Sequence, residues 1–280
     1  MTRRDRITGP EGMRLYYVVG AMLHFDQSVF THMLGMGNTI AVPTPIFLID
    51  HPEGKVLFET GVHRDVVSDA VGHWGEHVLH GQTYVRGRDW APQLTADNLV
   101  ENQLAALGIQ PEDIRYVIQS VLIPDHAGGV RAFPKSTIIV QYRELQDAWN
   151  PPTFMPYHYD QNELSEIRDY NFRRLYDEDY DVFGDGSVQV LFSPAHSRGE
   201  QALVVRLPNT GTVIMPAGVI PQKANWDHGV TTGTPCVDPA LCEASMRRLM
   251  RIAELEDGMV MFHHDAEHWK TYRMAPEYYD

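Results

Sequence analysis

The densest chemistry in the chain lies in Ser120-Val-Leu-Ile-Pro-Asp-His-Ala-Gly-Gly129. It follows an apolar run, Tyr116-Val-Ile-Gln119, that reads as a buried strand. Pro124 closes the run, and Asp125 and His126 then offer a carboxylate and an imidazole, two groups that bind divalent metals. The glycine pair allows a tight turn with positive φ, which would display both side chains at the strand's C-terminal edge. Two other apolar runs end at histidines. Val188-Gln-Val-Leu-Phe192 leads into Ser193-Pro-Ala-His196, and Met259-Val-Met-Phe262 leads into His263-His264-Asp265.

The remaining elements must hold these groups in place. Residues 1–12 read as a loose tail and 13–280 as a single domain without repeats. Met13-Arg-Leu-Tyr-Tyr-Val-Val19 is rich in β-formers and predicts a first strand. Residues 20–44 show no clear period and read as a loop. Pro45–Ile49 and Lys55–Glu59 flank His51-Pro-Glu-Gly54, a hairpin signal. Thr95–Leu107 predicts a helix capped by Thr95 and ended by Gly108. Thr137–Gln141 predicts a strand, and residues 143–149 a short helix. Residues 153–186, rich in Tyr and Asp, read as an excursion suited to a lid or an interface. A second helix starts at the Asp238 cap with Pro239 at its first position. Strands and helices alternate twice, which implies an α/β or α+β chain. Within residues 62–92, His73, His77 and His80 would share a helix face. Solvated histidines beside an aromatic cap account for them more simply than a metal does.

Composition narrows the partners. The 280 residues carry 37 acidic and 23 basic side chains, a net charge of −14. Phosphate backbones need clustered Lys and Arg, so a nucleic-acid partner is not expected. No apolar run approaches the roughly 18 residues of a membrane span. The polar N-terminus and only two cysteines, Cys236 and Cys242, fit a cytoplasmic chain with reduced thiols.

The Ser120–Gly129 stretch resembles the metal signature of the metallo-β-lactamase superfamily, His-x-His-x-Asp-His followed by Gly-Gly. Its flanks are most similar to the N-acyl-homoserine lactonase branch. Glu59-Thr-Gly61 is similar to the family's Asp-Thr-Gly. Ser193-Pro-Ala-His-Ser-Arg-Gly-Glu-Gln201 resembles Pro-Gly-His-Ser/Thr-Pro-Gly-His-Gln, and the segment around His263-His264-Asp265 resembles Gly-His-Asp-x-Glu-Gln. The resemblance spans about Leu15 to Tyr279 and implies an αββα sandwich. It also shows what is missing. Val121 and Ile123 stand at the first two signature histidines, Gly218 at the Asp that bridges two metals, and Pro221 at a lactonase tyrosine. The first metal would keep only His196. The second would keep its own Asp125, His126 and His264, without the bridging carboxylate.

Three functional readings follow. The first is a metal-poor, non-catalytic subunit supporting a homologous catalytic chain, similar to two-component hydrolases of the superfamily such as 2,4-dinitroanisole O-demethylase, an aryl ether hydrolase. The second is a one-metal hydrolase, lactonase- or esterase-like, in which Asp125, His126 and His264 hold one divalent cation, zinc first, with His196 near. The third is a small-molecule binding module, with Trp74, Tyr157, Tyr159 and Trp226 lining an apolar pocket or interface. On the first reading no metal is required.

Overall fold

The computed structural model describes residues 7–83, 93–153, 158–233 and 236–280, with the side chains of 76–83 left aside. Among the described residues, eleven strands run in chain order: β1 (Arg14–Asp26), β2 (Thr39–His51), β3 (Gly54–Phe58), β4 (Ile114–Ile118), β5 (Thr137–Gln141), β6 (Asn171–Leu175), β7 (Tyr180–Asp181), β8 (Val188–Phe192), β9 (Gln201–Leu207), β10 (Gly211–Met215) and β11 (Met259–Val260). Seven helices accompany them: α1 (Val66–Thr83), α2 (Val100–Ala106), α3 (Pro124–Ala127), α4 (Tyr142–Trp149), α5 (Gln161–Glu166), α6 (Lys223–His228) and α7 (Pro239–Glu256). One sheet has the order β1-β2-β3-β4-β5-β6 and the other β11-β10-β9-β8-β7. None of the described helices is long and apolar enough to cross a membrane.

The two sheets pack face to face. Tyr17, Phe47, Phe58, Ile118 and Ile139 from one meet Val190, Leu203, Val205, Val213 and Met215 from the other. β9 is buried along its whole length, which is why its sequence is apolar rather than alternating. The outer faces are covered by helices. Val100, Leu104, Leu145 and Leu164 close the first sheet. Cys242, Met246, Leu249 and Ala253 of α7 close the second. The layers are therefore α-β-β-α, as the resemblance implied. α7 starts where expected, with the Asp238 carboxylate accepting from the Ala240 and Leu241 N–H groups.

Several local expectations change. The loop expected over residues 20–44 is mostly strand: β1 reaches Asp26 and β2 begins at Thr39. A register shift between Val19 and Met22 interrupts the alternation that would have revealed it. The helix expected from Thr95 is a 3₁₀ turn, Ala96–Asn98, then extended Leu99, then α2. Asn98 Oδ1 accepts from Thr95 N–H and closes that first turn, while the Gln103 amide reaches Val19 O at 2.6 Å. The excursion over 153–186 carries α5, β6 and β7, and buries Tyr159, Leu164, Ile167 and Leu175. Within the expected tail, Gly9 is packed against Arg206 O.

Candidate metal centre

The residues singled out in the sequence follow the C-terminal ends of strands. Glu59 follows β3, Asp125 and His126 follow β4, His196 follows β8, Gly218 follows β10, and His263 and His264 follow β11. The glycine pair after His126 serves a purpose other than the expected one. Gly128 and Gly129 have φ of −59° and −85°, within reach of any residue. What they permit is close approach: a Cβ on Gly128 would stand 2.2 Å from His63 N, and one on Gly129 2.4 Å from Thr60 O. The Thr60 N–H donates to His126 O at 2.9 Å across this contact and fixes the His126 backbone.

Asp125, His126 and His264 come together with their ligand atoms clustered, and all three are buried. His126 Nε2 and His264 Nε2 lie 3.1 Å apart. Asp125 Oδ2 is 3.8 Å from the first and 3.9 Å from the second. A triangle with these edges has a centre about 2.1 Å from each corner, the length of a zinc bond to imidazole or carboxylate. The donor set fits one divalent cation.

The far sides of the rings are held. His264 Nδ1 donates to Pro43 O at 2.9 Å, which points its Nε2 lone pair inward. His126 Nδ1 faces Glu59 Oε1 at 3.3 Å and Ser120 Oγ at 3.2 Å. Burial pushes the His126 pKa down, but Glu59 and Asp125 outweigh it and raise the value to about 9. Burial holds His264 well below the usual imidazole range, helped by His126 and His263. His126 therefore carries the proton between the two Nε2 atoms, and a metal would have to displace it. Burial pushes the Glu59 carboxyl up, yet His126 and His263 on either side keep it below the usual carboxylate range.

Val121 and Ile123 are buried in the apolar layer with Val117, Phe133 and Leu145. Neither has a lone pair. His196 is half-buried and lies outside the three-atom cluster, its ring 4.6 Å from that of His158. The place beside Gly218 holds the Glu200 carboxylate.

The three described pocket candidates, Trp74, Tyr159 and Trp226, lie in three different layers. Trp74 is buried beside Phe25 and Phe30 and donates its indole N–H to Glu163. Tyr159 is buried in the layer over the first sheet and donates its hydroxyl to Glu144. Trp226 packs against the α7 layer. Each indole or phenol ring finds apolar partners in a different layer, and Tyr157 lies outside the described residues. His73 meets Glu163 at 3.0 Å, and the side chains of His77 and His80 lie outside the described residues.

A second cluster, His63, His73 and Glu163, also brings ligand atoms together. Here His63 Nδ1 accepts from Asp65 N–H at 3.2 Å, so the ring's proton sits on Nε2 and faces Glu166 at 3.3 Å. The two imidazoles stack in parallel, with centroids 4.3 Å apart, and their lone pairs do not converge on one point. This cluster is a hydrogen-bonded strut between α1 and α5.

Sequence reasoning missed the supporting groups. Glu59 was visible as a replacement for Asp, but its contact with His126 needed the fold. Glu144 accepts from Leu122 N–H at 2.7 Å and from Tyr159 OH at 3.1 Å, fixing the loop before Asp125 from 22 residues away. The only signal for Glu200 was a carboxylate where the family motif has a histidine.

This fold and this site define a metal-dependent hydrolase scaffold. The chain belongs to the metallo-beta-lactamase superfamily, whose family model matches residues 39–264. Membership implies divalent metals, typically zinc. The chain is 32% identical over 272 residues to the N-acyl homoserine lactonase AttM of Azorhizobium caulinodans, covering 96% of this chain and 99% of that one. It is 29% identical over 265 residues to the N-acyl homoserine lactonase of Bacillus thuringiensis, covering 95% and 98%. A solved N-acyl homoserine lactone hydrolase, with N-hexanoyl-L-homoserine bound at its catalytic metal centre, superposes with a TM-score of 0.81 at 28% identity, covering 98% of this chain and 100% of that one.

Proposed function

We propose that this chain is a hydrolase of lactones or related esters that works through one divalent cation held by Asp125, His126 and His264. The observation that carries this reading is the buried triangle of ligand atoms with 3.1, 3.8 and 3.9 Å edges. A cation bound there would acidify a water and polarise a carbonyl. The chain's own groups supply the rest. Pro43 O and Glu59 fix the two ring orientations, and burial of all three ligands excludes bulk solvent. His196 and His158 keep partial exposure, and substrate is expected to enter past them. The relatives act on N-acyl homoserine lactones, so that class is the first substrate to try. The test is pH-stat hydrolysis of N-hexanoyl homoserine lactone by the zinc-loaded chain. Turnover that vanishes in His264→Ala supports the reading; equal rates in both variants refute it.

A second reading rests on Val121, Ile123 and Gly218, which leave the neighbouring metal position without its usual ligands. In that case the chain supports a homologue with an intact signature, in a two-component hydrolase of esters or aryl ethers. Activity that needs such a homologue, with no metal taken up by this chain, would favour it.

A further inference from the structure

The side-chain space next to Gly218 is already filled. A Cβ built on Gly218 would stand 2.7 Å from Glu200 Oε1 and 3.0 Å from His196 Cβ. The carboxylate that the superfamily places at position 218 would compete for that volume with the carboxylate of Glu200. Glu200 enters from the loop between β8 and β9 and is fully buried. One oxygen is fixed, since Oε2 accepts from His196 N–H at 2.6 Å. The other, Oε1, makes no hydrogen bond among the described residues, which is costly for a buried carboxylate oxygen. Burial pushes Glu200 up to about 8, while the His196 N–H, the charge of His126 and the Gly218 N–H pull the other way. The buried carboxyl group thus occupies the side-chain space of position 218, with Oε2 fixed by His196 N–H and Oε1 meeting no full hydrogen bond among the described residues.

The geometry points to Glu200 as the metal-site carboxylate of this chain, replacing from position 200 the one lost at position 218. Oε1 lies outside the three-atom cluster, and a divalent cation at Asp125, His126 and His264 would draw it in as a fourth protein donor. The resulting set, two imidazoles and two carboxylates, suits a first-row divalent cation and leaves a five-coordinate ion room for water. This inference rests on the one-metal reading above, but it concerns binding and needs no substrate.

The experiment measures cobalt(II) affinity from the visible spectrum, and zinc affinity by competition. The chains compared are the wild type, Glu200→Gln, Glu200→Ala, the double variant Glu200→Ala/Gly218→Asp and Asp125→Ala. Glu200→Gln keeps the shape and removes the charge, so affinity is expected to fall about ten- to a hundredfold with a changed cobalt spectrum. Glu200→Ala should bind as weakly, and the double variant should recover most of the loss, because the carboxylate returns to the other side of the same space. Glu200→Gln with wild-type affinity and spectrum overturns the assignment, and so does a double variant no better than Glu200→Ala. Loss in Asp125→Ala alone would leave the three-ligand site standing and remove Glu200 from it. A wild type that takes up no cobalt removes both.

Discussion

His126 and His264 meet edge to edge, Nε2 to Nε2 at 3.1 Å, although 138 residues separate them in the chain. Two buried imidazoles at this distance must share one proton or one cation. Asp125 completes the third corner. Because Pro43 O already engages His264 Nδ1, the ring offers only Nε2 inward. His264→Ala should therefore lower zinc affinity by more than tenfold while the far-ultraviolet circular dichroism stays unchanged. An unchanged metal content would place the ion elsewhere.

Glu59 acts one step behind the metal. Its carboxylate faces His126 Nδ1 at 3.3 Å and His263 Nε2 at 3.7 Å, and is fully buried. Glu59→Gln keeps the volume and removes the charge that favours His126⁺. The His126 pKa is expected to fall from about 9, measurable from its imidazole proton or carbon shifts by NMR titration. A value that does not move would mean that Asp125 alone sets it.

Glu144 gives the chain a pH-dependent stability. Burial raises its pKa to about 7, against lowering by Ser197, Leu122 N–H and Tyr159. The folded value lies above the ordinary 4.5, so the contribution to stability is fully present below pH 4.5 and is lost as pH rises through about 7. The full swing is on the order of 3 kcal/mol. Between pH 5 and 8, wild-type urea midpoints should fall more than those of Glu144→Gln. Parallel curves would contradict the assignment.

The Gly128 contact is steric. A methyl group there meets His63 N at 2.2 Å, a backbone atom that cannot swing away. Gly128→Ala should cost about 1–3 kcal/mol and weaken metal binding together with stability, since it separates the Thr60–His63 segment from the His126 loop. By contrast Leu249→Ala, on the buried face of α7, should cost about 2–5 kcal/mol and leave the metal affinity unchanged. Chemical unfolding and metal titration on both variants distinguish site from scaffold.

What was legible in the sequence follows physical lines. Asp125, His126 and His264 drew attention because their motifs resemble the superfamily's metal signature, and α7 could be read because its cap and proline are local signals. The extent of β1 and β2 could not, since the register shift near Val19 breaks the period of two. Trp74, Tyr159 and Trp226 fall in three different layers, because aromatic residues carry no mark of which layer they join. Glu200 and Glu144 escaped because a buried carboxylate looks like a surface one until its contacts are known.

The most direct measurement is elemental analysis of the purified wild-type chain beside His264→Ala, after equilibration with zinc and removal of the excess. About one zinc per wild-type chain and nearly none in the variant is the expected result. Two ions per chain would mean that the position beside Val121 and Ile123 is still functional, and no zinc in either protein would contradict a metal centre at Asp125, His126 and His264.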